Sequence, residues 1–215
     1  MNIISMIGVS HSFQGVPLFN DLNLNIESGL IHGLTGPNGS GKSVLLRMMC
    51  GFIVPNAGVV EIDPSFLPAG RTFPNNFGVI IDGPAYLPGL SAEGNLRELA
   101  SIQNRIGVAE IRMTLTRVGL IATSRKRVRS FSLGMKQKLS IAQAIMEDQK
   151  VLLLDEPFNA LDDESVGNVK ALLREQRDAG VTILFTSHSK HDVAELCDRV
   201  YRLEAGRAHL IHPVT

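Results

Sequence analysis

An α/β fold is predicted for this chain: a mainly parallel sheet, an N-terminal antiparallel β portion and a helical insertion. Three observations predict it. Short, flat apolar runs at 30–35, 151–154 and 181–185 have the form of parallel strands covered on both faces. A helical stretch precedes each of the two later runs, giving the strand–helix alternation of a parallel sheet. A glycine-rich turn joins the first run to a helix.

Taken in order, residues 1–26 and 58–81 read as short strands and turns, rich in Gly, Pro and Asn. The run Leu30-Ile31-His32-Gly33-Leu34-Thr35 reads as a buried strand. Residues 42–50 follow as a helix, with Leu45, Leu46 and Met49 on one face and Gly51 as its stop. From about 90 to 147 the pattern is mainly helical, with Leu96, Leu99 and Ile102 at three- and four-residue spacing. The expected layout is one domain over 1–215. Residues 1–82 and 148–215 form the α/β core with its β portion, and 83–147 form the helical insertion.

Composition narrows the function. The chain has 215 residues, 44% hydrophobic and 20% charged, which suits a globular core and not a disordered chain. Its 21 basic and 21 acidic residues cancel, so no overall field favours nucleic acid, and none is expected as a partner. Cys50 and Cys197 are the only cysteines, too far apart for a metal or disulfide framework, and fit a reducing compartment. Residues 1–12 lack the form of a signal peptide, and no apolar run approaches the roughly 18 residues of a membrane span. A membrane role is therefore expected only through a partner. No internal repeat is visible.

Gly36-Pro37-Asn38-Gly39-Ser40-Gly41-Lys42-Ser43 matches G-x-x-x-x-G-K-S/T in full. Glycines let backbone N–H groups turn in around phosphates, and the following helix points its positive end at the same anion. Lys42 is expected to neutralise the β- and γ-phosphates, and Ser43 to ligate Mg²⁺. A glycine-rich turn that matches by chance is the bland alternative, and the strand before and helix after the motif speak against it. Gly36, Asn38, Gly39, Ser40, Gly41, Lys42 and Ser43 are thus the expected phosphate cradle.

The apolar run 151–154 ends in Asp155 and Glu156. Strand carboxyl ends form the ligand crevice of a parallel sheet, so both acids are expected beside the phosphate loop. Asp155 would hold Mg²⁺, and Glu156 would act as general base on the attacking water. Alone, such a pair is as often a helix cap or turn. The run 181–185 leads to Thr186-Ser187-His188, which brings His188 to the γ-phosphate side. A histidine without that context is more often a core or surface residue. His11, His32, His191, His209 and His212 are given no role.

Ser130-Phe131-Ser132-Leu133-Gly134-Met135-Lys136-Gln137 resembles a variant of the LSGGQ signature of ABC transporter ATP-binding subunits. Phe131, Leu133 and Met135 depart from it, while Ser132 and Gly134 remain. In isolation the segment is an ordinary helix start with Met135, Leu139 and Ala142 as its apolar face. Its place about 20 residues before the acid-ended strand favours the signature. Asn159-Ala160-Leu161-Asp162 resembles the D-loop, and residues 199–206 the family's closing "DRV…GR" segment. Phe13 stands where the family places an aromatic on adenine, although core packing is nearly as good a reading. Asp82 stands where the family has a Gln near Mg²⁺; a carboxylate can also ligate that ion. Asp82 together with the Ser-Leu-Gly-Met-Lys-Gln sequence resembles the bacitracin- and lantibiotic-type exporter branch.

The resemblance implies an ATPase with ATP and Mg²⁺ as cofactors. It implies a head-to-tail dimer, homo- or heterodimeric, around two ATP, with Ser132, Gly134 and Asp162 acting across the interface. The partner would be a transmembrane subunit on a separate chain, holding this one at the cytoplasmic face. Tyr86, Leu87 and Leu90 are its candidate contacts, or else they pack on the helical insertion. The basic cluster Arg125-Lys126-Arg127-Val128-Arg129 reads first as a solvated surface. Two rivals remain open, besides an ATP-binding regulator that hydrolyses little, against which the intact Glu156 stands. One is a soluble ABC-type ATPase of DNA repair or translation, against which stands the lack of a heptad run or second phosphate loop. The other is a small-molecule kinase, disfavoured by Glu156 directly after Asp155.

Overall fold

The computed structural model describes residues 1–211; the end of the 148–215 core segment, His212 included, lies outside the described residues. Two sheets organise the chain. β1 (Asn2–Phe13), β2 (Val16–Glu27) and β4 (Ala57–Ile62) form a three-stranded antiparallel sheet in the order β2-β1-β4. β3 (Ile31–Thr35), β5 (Phe77–Ile80), β6 (Val151–Leu154), β7 (Thr182–Thr186), β8 (Arg199–Glu204) and β9 (Arg207–Ile211) form the other, in the order β5-β6-β7-β3-β8-β9. Every pairing in it is parallel except β8 with β9.

The flat apolar runs follow from burial on both faces. Val151 and Leu153 point into a core shared with α1 (Lys42–Met49) and the antiparallel sheet, beside Leu45, Leu46 and Leu24. Leu152 and Leu154 point the other way, into a core shared with α4 (Leu133–Ile145), α5 (Asp163–Asp178) and α6 (Lys190–Leu196). Each position along β6 faces one core or the other, so alternation disappears.

Two sequence expectations are corrected in detail. Residues 1–26 hold two 12-residue strands instead of several short ones. The stretch 58–81 divides between the sheets, because β5 pairs with β6 at the edge of the parallel one. α2 (Ala92–Gln103) is helical as the pattern implied, with Leu96 fully buried and Leu99 36% and Ile102 75% exposed. The inward face of α2 runs instead through Ala92, Asn95, Leu96 and Ala100.

Between β5 and β6 lie α2, α3 (Val108–Arg117), a short 3₁₀ turn at Val128–Ser130, and α4. The loop before α2 is tied to the segment before α4 through the backbone. Val128 N–H donates to Leu90 O at 2.8 Å, and Arg129 N–H to Pro88 O at 3.0 Å. Asn95, only 2% exposed, braces the same loop by accepting from Leu87 N–H at 2.6 Å and donating to Leu87 O at 3.1 Å.

Candidate nucleotide site

Two glycines of the turn between β3 and α1, Gly36 and Gly41, have no room for a side chain. Gly41 caps α1 at φ 100°, and a Cβ there would stand 2.6 Å from the Phe19 ring. A Cβ at Gly36 would stand 2.6 Å from the Leu203 carbonyl and 2.9 Å from Ser40 Oγ. Lys42 is buried at the mouth of this loop, its ammonium donating to Gly36 O at 2.9 Å and Pro37 O at 3.1 Å. Ser40 Oγ is buried without a hydrogen-bond partner. A buried ammonium, an orphaned hydroxyl and the amino end of α1 make a cradle that suits an anion.

The acid-ended strand reaches the same loop. Ser43 Oγ donates to Asp155 Oδ2 at 2.5 Å, and Thr186 Oγ1 donates to Asp155 Oδ1 at 2.6 Å. Glu156 takes the left-handed conformation, φ 47°, and its N–H donates to Thr186 Oγ1 at 2.8 Å. That turn aims the Glu156 carboxylate at His188, whose Nδ1 lies 3.1 Å from Glu156 Oε2. Lys42 and Ser43, at the start of α1, therefore face Asp155, Glu156 and His188, which follow the ends of the adjacent strands β6 and β7. A cavity of about 1040 Å³ opens beside Gly36, Pro37, Asn38 and His188, walled by α6 and β8.

Sequence reasoning missed two members. Thr186 bonds both acids, and Gln137, 6% exposed, donates to Pro157 O at 3.0 Å. Thr186 carried a signal: it ends a strand beside the one ending in Asp155.

The other expected residues stand apart. Ser132 is exposed at the amino end of α4, where its Oγ accepts from Met135 N–H at 3.2 Å. Among the described residues it shares no hydrogen bond with the Gly36–Ser43 loop. Gly134 lies against the segment after Glu156, since a Cβ there would stand 2.7 Å from Ala160 O. Asp162 caps α5 by accepting from Ser165 N–H at 2.8 Å; the Ser165 hydroxyl and N–H together hold its carboxyl below the usual range. Phe13 is 65% exposed at the end of β1, so it does not pack in the core. Asp82, at φ 63°, forms an ion pair with Arg47 of α1. Of the three residues expected to ligate metal, Ser43 and Asp155 are brought together, and Asp82 contacts Arg47 instead. Among the described residues no three His, Cys, Asp or Glu side chains cluster as a self-sufficient metal site. The Ser43 hydroxyl and Asp155 carboxylate fit an ion completed by phosphate oxygens and water, as Mg²⁺ is when it travels with a nucleotide.

No helix of the described residues is long and apolar enough to cross a membrane. The ABC transporter family profile matches residues 19–159. An uncharacterized ABC transporter ATP-binding protein of Bacillus subtilis, YybJ, is 38% identical over 95% of this chain and 94% of its own. The bacitracin transport ATP-binding protein BcrA of Enterococcus faecalis is 30% identical over 99% of this chain and 69% of its own. A spermidine/putrescine import ATP-binding protein of Fusobacterium nucleatum is 33% identical over 95% of this chain and 55% of its own. A solved ATP-binding subunit of an ABC transporter superposes with a TM-score of 0.85 at 25% identity, covering 98% of this chain and 90% of its own. The phosphate loop, the acid-ended strand beside it and these likenesses lead to one conclusion: the chain belongs to the ABC transporter family, as one of its ATP-binding, ATP-hydrolysing chains.

Proposed function

We propose that this chain is the motor of an exporter, in which two ATP-binding chains, identical or different, close head to tail around two ATP. The observation that carries this reading is a divided set of groups. Lys42, Ser43, Asp155, Glu156 and His188 converge, while Ser132 is exposed on a helix end outside that cluster. A second chain facing the first would supply Ser132, Gly134 and Asp162 to its nucleotide.

Within one site, the Gly36–Ser43 loop binds the phosphates and Lys42 neutralises them. Exposed Phe13 offers a ring face to adenine. Ser43 and Asp155 would hold Mg²⁺, which supplies charge neutralisation on the β- and γ-phosphates when bound. Glu156 takes the proton of the attacking water, and His188 holds the Glu156 carboxylate in place. Asp82 sits at the loop entering the helical insertion 83–147. It would reach the ion only by leaving Arg47, which links the ion's coordination to the position of that loop.

The membrane subunit, on a separate chain, would dock on the loop around Leu87, which is 51% exposed, and hold this chain at the cytoplasmic face. Export is supported by Asp82 and by the Ser-Leu-Gly-Met-Lys-Gln signature. The fold alone does not set direction, since an import protein is among the relatives. The test is light scattering on purified Glu156→Gln protein. An ATP- and Mg²⁺-dependent dimer that is abolished by adding Ser132→Arg is expected. A protein that binds ATP yet stays monomeric, alone and with its membrane subunit, would refute the head-to-tail reading.

A further inference from the structure

Lys170 is an unusual lysine: its side chain is 5% exposed, on the inner face of α5. Its ammonium donates to Asp192 Oδ1 at 2.7 Å and Glu195 Oε2 at 2.5 Å, both on α6. It also stands 6.0 Å from the centroid of the Phe158 ring. Phe158 follows Glu156 by one intervening proline, and lies edge-on to Phe185 at 5.4 Å. α6 follows His188 with only Ser189, its N-cap, between them. One buried cation thus holds the helix that begins two residues after His188 and stands over a ring two residues after Glu156.

We infer that Lys170 is a positioning residue for the Glu156–His188 pair. The inference rests on the reading of that pair as the hydrolytic one. Two features make an external brace necessary. α6 is a seven-residue helix that buries only Val193 and Leu196, too little apolar surface to fix its orientation. The His188 side chain is 67% exposed and has Glu156 as its one hydrogen-bonding side-chain partner among the described residues. The imidazole therefore goes where the start of α6 goes. A buried ion pair adds little net stability over an apolar replacement of the same size, because desolvation offsets the attraction. What it does add is a direction: an ammonium held by two carboxylates and a ring face admits few arrangements of α5 against α6.

The experiment is steady-state ATP hydrolysis by the full chain, with its membrane subunit if basal turnover requires it. Lys170→Met is expected to lower kcat by about tenfold with KM for ATP changed by less than about twofold, since the phosphate loop is untouched. Lys170→Arg should recover most of the loss. In a His188→Ala background, Lys170→Met should cost less than about twofold, because the two substitutions then remove the same alignment. A normal kcat with only a lowered melting temperature would reduce Lys170 to a brace of the fold and overturn the inference. An equal kcat loss in both backgrounds would overturn it too. If Lys170→Met does not fold, the triple change Lys170→Met, Asp192→Asn, Glu195→Gln removes the charges together, and a normal kcat there is equally fatal. Glu156→Gln is the control: turnover that survives it refutes the hydrolytic pair itself, a failure distinct from that of Lys170.

Discussion

His188 Nδ1 stands 3.1 Å from Glu156 Oε2, so the ends of two neighbouring parallel strands meet through their side chains. Glu156→Gln removes the proton acceptor while keeping the shape of the side chain. Turnover should fall by about 10²- to 10⁴-fold with ATP affinity retained. His188→Ala should lower turnover too, and the double variant should lose far less than the product of the single losses. Single-turnover hydrolysis alongside nucleotide-binding titration separates the two effects. Fully multiplicative losses would mean the two residues act independently.

Thr186 is the shared partner of both acids, donating to Asp155 and accepting from the Glu156 N–H. Thr186→Val leaves that N–H without its acceptor, a cost of about 1–3 kcal/mol. Unfolding in urea should register the loss, and hydrolysis should slow. Thr186→Ser, which keeps the hydroxyl, should restore both. A valine variant as stable and active as the parent would refute this role.

Glycines of the phosphate loop should differ in their tolerance of alanine. At Gly39 (φ 78°) a Cβ meets nothing within 4 Å, leaving only the strain of the left-handed backbone, about 1 kcal/mol. At Gly41 the same strain comes with a 2.6 Å approach to the Phe19 ring. Gly41→Ala should therefore weaken ATP binding and lower the melting temperature more than Gly39→Ala. Equilibrium nucleotide titration and thermal unfolding give the order, and the reverse order would contradict the packing described.

Glu195 carries a pH signature. Hydrogen bonds from Lys170 and Arg174 pull its carboxyl from 4.5 to about 2. A carboxyl depressed on folding stabilises the folded chain above its unfolded pKa, here 4.5, and that contribution fades as pH falls toward about 2. Glu195→Gln should therefore be less stable than the parent at neutral pH, with the gap closing across that window. Denaturant unfolding at a series of pH values measures it. A gap that stays constant between pH 4.5 and pH 2 would mean that the charge is not what holds Glu195.

What the sequence disclosed depended on how local the chemistry is. The strand, turn and helix around Gly36 to Ser43 are legible because each residue type is demanded within one contiguous stretch. Asp155 and Glu156 are legible because strand ends face a known side of a parallel sheet. Thr186 and Lys170 were not, because their partners lie 31 and 25 residues away and neither side chain has a distinctive type for its task. Leu99 and Ile102 marked a helix but not its inward face, because apolar spacing on a helix is the same whether its stripe faces the core or solvent. Asp82 shows a third limit, since its ion pair is with a residue of α1 that no motif marks.

The loop of Pro88 and Leu90 is joined to Arg129 and Val128 by main-chain hydrogen bonds. A linkage written in peptide groups is blind to side-chain identity, and only proline at 128 or 129 would delete a donor. On the docking proposed above, the exposed surface of that loop is free to diversify, residue by residue, toward different membrane subunits. The connection to the segment ahead of Ser132 passes through such drift unchanged. On that proposal, recognition and transmission are inherited separately: one machine can acquire a new partner without relearning how to answer it.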